Sequence, residues 1–370
     1  MNPFLITGYK SPEYFCDREK ETKRLIESLI NHRNVTLFSR RRIGKTALIL
    51  HTFYQLRKGK KNILIYIDLY ATRNQKEFTE LFANAVINEF ESGLGRMTEK
   101  LKNLISSLRP TITYDQFTGN PVFSFTWETE KNVEITIENM FSFLNSQKKE
   151  VIIAFDEFQQ IVEYPQKNME AIIRTNLQNS PNVTCVFSGS QDHLMISMFK
   201  DKSKPFYQSG ELMHLEKIDS REYEKFITYH FKKGKKEIDK LASELILNIC
   251  EYHTFFVQYL CNRLYSTDTD LINQQVVYDT LLVILKENET FYFNYKNLLT
   301  NNQWNLLSAI AKENGIKQIT SKDFIKKYDL NTPSSIKTAL DVLLKNGLVY
   351  FDTENYVLED VLFKIWLQRI

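Results

Sequence analysis

Apolar and polar positions follow two periods in the first half of the chain. From residue 17 to 32, charged residues and apolar residues recur at helical spacing, which predicts an amphipathic helix. Continuous apolar runs of the kind found in buried parallel strands occupy residues 34–38, 63–70, 151–158 and 182–190. Helix-period segments separate these runs, at residues 47–56, 74–108 and 133–145. Strands that alternate with helices predict an α/β fold built on a parallel sheet.

One segment interrupts this alternation. Residues 111–127 contain two β-rich runs on either side of Thr118-Gly119-Asn120-Pro121, whose residue types favour a turn. The pattern predicts a hairpin inserted at about residues 110–128.

The strand pattern stops near residue 220, and helix-period apolar residues fill residues 221–234, 238–252 and 255–265. This change predicts a helical second domain. We therefore expect three domains, with a sheet domain at residues 1–215, a helical lid at 216–297 and a third domain at 298–370.

The last seventy or so residues follow the order of a winged helix. Helices are predicted at residues 303–313, 321–328 and 334–346, with a short strand near Ile319 and two final strands flanking residues 352–355. The third helix has clear end signals: Thr332 can cap its start, Pro333 suits its first turn, and Gly347 can end it in a left-handed conformation.

Composition narrows the class of protein. The 43% hydrophobic and 25% charged residues are typical of globular chains, and no run approaches the roughly 18 apolar residues of a membrane span. The first residues lack the pattern of a secretory signal, and the four cysteines form no CxxC pair, so we expect a cytoplasmic protein without membrane association, disulfides or structural zinc. The net charge of +3 does not by itself favour nucleic acid.

The strongest motif is Ser39-Arg40-Arg41-Arg42-Ile43-Gly44-Lys45-Thr46, followed by Ala47, between a predicted strand and a predicted helix. Amide groups at a helix N-terminus can surround a β-phosphate, the Lys45 ammonium can bridge β- and γ-phosphates, and the Thr46 hydroxyl can bind Mg²⁺. The usual first glycine of such a loop is Ser39, whose Cβ is expected to restrict the turn. A chance match at a helix start is the alternative.

A second motif supports the first. Near the end of the apolar run at residues 151–158 lie Asp156 and Glu157. Asp156 is a candidate ligand of Mg²⁺, and Glu157 is a candidate for activating the attacking water. The next strand ends in Ser188-Gly189-Ser190, and Ser190 is a candidate sensor of the γ-phosphate; an ordinary Ser- and Gly-rich turn is the alternative.

The loop also carries three consecutive arginines, Arg40, Arg41 and Arg42. An arginine near the phosphates can neutralise charge in a transition state, although so short a loop cannot direct all three inward. Exposure to solvent or pairing with a carboxylate is the alternative.

Six segments of the sequence occur together: FCDREKE near the start, the RRxGKT loop, a hydrophobic strand ending in DEF, then FSGS, KPFYQS and EDVLFKIWL. Through these segments the whole chain resembles the archaeal-type ATPases. These are P-loop NTPases of the AAA+ and STAND type, with an ASCE-type parallel sheet flanked by helices, a helical lid and a winged helix. The resemblance implies an ATP-binding ATPase that uses ATP and Mg²⁺, with Lys45 and Thr46 in Walker A, Asp156 and Glu157 in Walker B, and Ser190 as sensor. It also implies that the segment containing Arg18 lies near the base.

The winged helix raises the question of DNA. On the third helix, Ile336, Leu340, Leu343 and Leu344 are expected to face the core, whereas the residues expected to be exposed are Ser335, Lys337, Thr338, Asp341 and Lys345. Two lysines opposed by an aspartate form a weakly basic surface, so we favour a protein partner or self-association over sequence-specific DNA binding. Lys322, Lys326 and Lys327 on the preceding helix can still contact phosphates.

Three hypotheses therefore follow from the sequence. The first is a nucleotide-operated switch with slow ATP hydrolysis, and the second is a winged-helix DNA-binding regulator that ATP only stabilises. The third is a degenerate site that binds no nucleotide, which Ser39 suggests and which Lys45, Thr46, Asp156 and Glu157 oppose.

Overall fold

The computed structural model describes residues 2–94, 111–114, 121–124, 129–352 and 354–369. Two compact units are present: a sheet unit formed by Thr7–Lys217, and a helical unit formed by Met1–Ile6 together with Ile218–Ile370. The finer division of the second unit into a lid at 216–297 and a winged helix from 298 stays a prediction.

A five-stranded parallel sheet forms the centre of the sheet unit, and a separate antiparallel pair represents the predicted hairpin. In chain order the strands are β1 Val35–Phe38, β2 Asn62–Asp68, β3 Thr111–Tyr114, β4 Pro121–Ser124, β5 Glu150–Asp156, β6 Val183–Gly189 and β7 Glu211–His214. The order across the sheet is β2-β5-β6-β1-β7, and β3 pairs with β4. Strand β6 thus separates the strand before the phosphate-loop motif from the strand that ends in Asp156.

The helices of this unit are α1 Glu19–Ile30, α2 Lys45–Lys58, α3 Gln75–Leu94, α4 Glu130–Asn145, α5 Met169–Gln178 and α6 Asp192–Lys200, with 3₁₀ turns at Pro12–Tyr14 and Phe158–Glu163. The predicted helical segment 74–108 is helical as far as Leu94, and its remainder lies outside the described residues. Helix α4 begins three residues before the predicted start because Thr129 accepts a bond from the Asn132 amide and caps it.

Apolar residues line both faces of the sheet. Along β5, Ile153 and Phe155 belong to one buried cluster, while Ile152 and Ala154 belong to the cluster on the opposite face. Side chains of a strand point alternately to the two faces, and a parallel sheet is covered on both. This is why the strand runs are continuously apolar in the sequence.

Phe187 on β6 lies at the centre of an aromatic cluster and is fully buried. Its ring centroid is 4.5 Å from that of Phe158 and 5.1 Å from that of Phe206. We expect Phe187→Ala to lower the free energy of unfolding by about 3–5 kcal/mol, measured by urea denaturation, because it removes buried area and leaves a cavity. The exposed Tyr70 is the matched control, and Tyr70→Ala should change the same quantity by less than about 0.5 kcal/mol. Equal effects of the two variants would contradict the assignment of this core.

The helical unit begins with α7 Ser220–Lys233, β8 Glu237–Ile238, α8 Lys240–Ile249, α9 Thr254–Tyr265, β9 Leu271–Ile272 and α10 Gln274–Leu298. The expectation of a segment without strands is wrong, because β8 and β9 pair in parallel. Two-residue strands are too short to show a period in the sequence. Helices α10 and, at residues 361–369, the last helix of the unit are further elements that the pattern does not predict.

The C-terminal elements are α11 Asn301–Glu313, α12 Lys322–Lys327, α13 Pro333–Lys345, β10 Val349–Asp352, β11 Asn355–Leu358 and α14 Val361–Arg369. The predicted helix ends are confirmed: the Thr332 side chain accepts from the Ser335 amide, Pro333 lies in the first turn, and Gly347 has a φ of 66°. Antiparallel pairing of β10 with β11 forms the wing.

Three predictions for this region are wrong in detail. The strand near Ile319 is instead a single bridge between Ile316 and Tyr356. Ser335 is half-buried, since it contacts the Asn302 amide, and Leu344 is half-buried instead of facing the core. Lys337, Thr338, Asp341 and Lys345 are exposed as predicted.

Candidate functional site

The phosphate-loop motif connects β1 to α2, and Lys45 is the first residue of that helix. The Lys45 side chain is 5% exposed, and its Nζ donates to the carbonyl oxygens of Ser39 at 2.7 Å and Arg40 at 2.8 Å. The loop therefore wraps around the ammonium group at a helix N-terminus, where the helix dipole favours an anion.

Backbone conformation explains which loop positions need flexibility. Arg42 and Gly44 adopt left-handed conformations, with φ of 60° and 108°. Ser39 is not among the described residues with positive φ, and its buried hydroxyl lies 3.4 Å from Lys45 Nζ. The expectation that the Ser39 Cβ restricts the turn is thus wrong, because the turn takes its left-handed residues elsewhere.

Arg18 contacts the backbone of the phosphate-loop motif. It is 2% exposed at the start of α1, where its guanidinium pairs with Glu21 at 2.8 Å and reaches the Ile43 carbonyl at 3.5 Å. Ile43 is itself buried in the core below the loop. Arg18 thus connects α1 to the loop backbone.

The remaining loop residues differ in exposure. Arg41 and Arg42 are exposed, whereas Arg40 and Ala47 are half-buried. The structure therefore does not direct all three arginines inward.

Asp156 joins the two motifs. This carboxylate is 2% exposed at the end of β5, and its Oδ2 accepts from Thr46 Oγ1 at 2.5 Å and from the Tyr66 hydroxyl at 2.8 Å. Burial and the neighbouring Asp156 raise the pKa of Tyr66, so the phenol stays protonated and remains a donor. Tyr66 was not predicted as a site residue; its only signal is its position on the strand next to β5.

Glu157 follows in a left-handed conformation, with φ of 53° and ψ of 41°. Its Oε2 accepts from Ser190 Oγ at 2.6 Å and from Gln159 Nε2 at 2.5 Å. The structure therefore brings Ser190, directly after β6, to the Glu157 carboxylate. Gln159 is a second contact that sequence reasoning missed.

Asp68 places a third carboxylate at this edge, since it is the register partner of Asp156. Burial raises the pKa of Asp68, a hydrogen bond from the Tyr70 amide lowers it, and Asp156 and Glu157 raise it further. Negative charge therefore accumulates at the carboxyl ends of β2 and β5, which favours a bound cation. In the described ranges no group of three or more His, Cys, Asp or Glu residues forms a metal cluster.

His214, at the end of β7, pairs with two acids: Asp192 at the start of α6, at 3.7 Å, and Glu216, at 2.6 Å. Its hydrogen bonds to Asp192 and then to Glu216 raise the pKa of His214 to about 9, against partial burial. The imidazolium thus holds the first turn of the helix that follows Ser190.

The raised pKa of His214 gives a pH-dependent contribution to stability. Because the pKa of His214 is higher in the folded state than in the unfolded state, its protonation stabilises the fold. This contribution is fully present below about pH 6.5 and is lost as the pH rises through about 9. We expect urea denaturation to show a lower free energy of unfolding for wild type at pH 9.5 than at pH 6. The difference should be at most about 1 kcal/mol, because the imidazole is half-exposed. His214→Asn should lack that component; an identical pH dependence of both proteins would refute the pairing.

No helix in the described part of the chain is both long and apolar enough to cross a membrane. None of the curated proteins matches the sequence. Solved structures do share the fold. A Walker-type ATPase of Pyrococcus abyssi superposes with a TM-score of 0.67 at 18% identity, covering 100% of both chains.

Two Aeropyrum pernix proteins are similar at lower scores. The Orc1 protein, solved in complex with DNA, has a TM-score of 0.56 at 14% identity over 100% of this chain and 96% of its own. The Orc2 protein, solved in ADPNP-ADP complexes, has a TM-score of 0.56 at 13% identity over 100% of this chain and 98% of its own. At these identities the likeness establishes the P-loop NTPase fold.

Family models cover most of the chain. Residues 290–369 match the model of a probable winged helix domain. Residues 15–251, which include both motifs and their connecting strands, match the model of an ATPase domain predominantly from Archaea. The chain belongs to this family of archaeal-type ATPases.

Proposed function

We propose that the protein is a nucleotide-operated molecular switch that binds ATP with Mg²⁺ at the carboxyl end of the sheet and hydrolyses it slowly. The observation that carries this proposal is the 2.5 Å contact between Thr46 Oγ1 and Asp156 Oδ2. This contact joins the start of α2 to the end of β5, next to Lys45. A hydroxyl, a carboxylate and an ammonium group therefore lie in one region, and these are the groups that bind a metal ion and phosphates in this chemistry.

Lys45 is the residue that binds the phosphates. Its ammonium exchanges the carbonyls of Ser39 and Arg40 for the β- and γ-phosphate oxygens, while the amides at the start of α2 surround the β-phosphate. Among the arginines, Arg40 is the one whose half-buried position suits a contact with the phosphates.

Thr46 and Asp156 suit Mg²⁺, because this ion prefers oxygen ligands and takes few of them from the protein. Their oxygens lie close enough to share one ion, and Tyr66 holds the carboxylate from the strand beside it. A Mg²⁺ ion held by these oxygens would neutralise charge on the phosphates.

Glu157 is the base in this proposal. It takes a proton from the water whose oxygen attacks the γ-phosphorus, and the bond from that phosphorus to the ADP oxygen breaks. Ser190 links this carboxylate to the end of β6 and to α6, which gives it the position of a sensor. The choice of adenine, and the place of Arg18 near the base, rest on the family.

The switch hypothesis is tested by limited proteolysis. With Mg²⁺ present, ATP and ADP should give different digestion patterns, because each nucleotide can shift the conformational equilibrium only by its differential affinity for the two states. A Glu157→Gln protein with ATP should keep the ATP pattern over time. Identical patterns for ATP and ADP would contradict the switch.

A DNA-binding regulator is the second candidate, favoured by the exposed Lys337 and Lys345 on α13. Other charges nearby oppose it: Lys327 pairs with Glu313 at 2.7 Å, and Lys317 with Glu354 at 2.8 Å. We therefore propose a protein partner or self-association first. Gel shifts with duplex DNA over a salt series decide, since true phosphate contacts weaken steeply as salt rises.

A further inference from the structure

Gln159 is a polar side chain buried directly behind the proposed base. It is 3% exposed, in the second position of the 3₁₀ turn Phe158–Glu163. Its Nε2 lies 2.5 Å from Glu157 Oε2 and 3.5 Å from Ser190 Oγ. A buried amide is costly unless it forms hydrogen bonds, so its position beside a carboxylate requires explanation.

The contacts fix which amide atom faces the acid. Only the NH₂ group can donate to a carboxylate, so the Gln159 oxygen must point away. That oxygen, Oε1, lies against Gly189, where an added Cβ would approach it to 2.5 Å and the Met195 sulfur to 2.4 Å. Gly189 therefore provides the space in which the amide is held.

Glu157 is held by three constraints together. Its left-handed backbone conformation is unfavourable for a residue with a side chain. Gln159 and Ser190 both donate to Oε2, while in the described part of the chain Oε1 accepts no hydrogen bond. One carboxylate oxygen is thus fixed by the protein, and the other remains for a water molecule.

We infer that Gln159 is a positioning residue for hydrolysis: together with Ser190 it fixes Oε2 of Glu157 so that Oε1 meets the attacking water. This inference rests on the proposed function, since it acts through Glu157. It separates two tasks at the site: Lys45, Thr46 and Asp156 bind nucleotide and metal, and Gln159 affects only the step that Glu157 performs.

The test uses the full chain with ATP and Mg²⁺. Gln159→Leu removes the donor at similar volume, and we expect kcat to fall about 10- to 100-fold, as for other residues that orient a reacting group, with ATP affinity unchanged. Gln160→Ala, at the half-buried neighbouring position, is the matched control with wild-type kcat.

A double-mutant cycle separates positioning from a merely structural role. In a Glu157→Gln background, Gln159→Leu should cause no further loss of rate, since the group it positions is already gone. An equal loss in both backgrounds, a wild-type kcat for Gln159→Leu, or a parallel loss of ATP affinity would overturn the inference. If Glu157→Gln alone retained the wild-type rate, the proposed base would fail and this inference with it; a slow Glu157→Gln beside an unimpaired Gln159→Leu would overturn only the inference.

Discussion

Lys45→Ala is expected to weaken ATP binding by about 100-fold or more. Charge-assisted hydrogen bonds contribute about 1.5–3 kcal/mol each, so two contacts with phosphate contribute at least about 3 kcal/mol. Since about 1.4 kcal/mol corresponds to a tenfold change in affinity, this accounts for the expected loss. Lys45 is 5% exposed, and its ammonium is already held inside the loop by the Ser39 carbonyl. Equilibrium binding of a fluorescent ATP analogue with Mg²⁺ measures the effect.

The control for this variant must separate loss of a contact from loss of the fold. Lys61 is an exposed lysine of the same unit, and Lys61→Ala should bind ATP as wild type does. Because Lys45→Ala also leaves the carbonyls of Ser39 and Arg40 without their donor, its thermal unfolding is recorded in parallel. A folded Lys45→Ala protein with wild-type affinity would contradict the proposed phosphate site, and no binding by wild type would favour the degenerate-site hypothesis.

The architecture of the sheet follows from the sequence because its signals are local and repeated. The inner strands β1, β5 and β6 are buried on both faces, so they appear as continuous apolar runs, and the loop motif lies between such a run and a helix. Asp156 ends its run, which places it at the same edge as Lys45. The structure brings these residues together as their positions along the chain suggest.

The contacts between strand ends could not be predicted in the same way. Tyr66 lies within an apolar run, where an aromatic residue is usually a core residue, yet its hydroxyl reaches Asp156. Gln159 and His214 follow ordinary sequence patterns, and their roles depend on the order of strands across the sheet. Register and side-chain direction determine these contacts, and neither is visible from spacing alone.

In the helical unit, the helices could be predicted from the sequence but the short strand pairings could not. Its helices have strong periodic patterns and caps, whereas β8 and β9 are two residues long and the bridge at Ile316 involves a single pair. Such short pairings depend on tertiary contacts instead of on local propensity. The predicted strand near Ile319 fails for this reason.

Glu157→Gln is expected to lower the rate of ATP hydrolysis by about 100- to 10,000-fold, the range for removal of a general base. The amide keeps the size of the carboxylate and an oxygen that can accept from Gln159 and Ser190, so the site should keep its shape. What it loses is the ability to take a proton from water. Because Lys45, Thr46 and Asp156 are unchanged, ATP affinity should stay near that of wild type, and bound ATP should remain intact.

Single-turnover measurements with radiolabelled ATP test this expectation directly, since they report the chemical step without product release. The matched control is Glu163→Gln, an exposed glutamate at the end of the same 3₁₀ turn, which should hydrolyse ATP at the wild-type rate. Trapped ATP in Glu157→Gln, with normal turnover in Glu163→Gln, would place the base at Glu157. Wild-type hydrolysis by Glu157→Gln would instead require another base, and Asp68 is the next candidate, since it is the register partner of Asp156 at the same edge of the sheet.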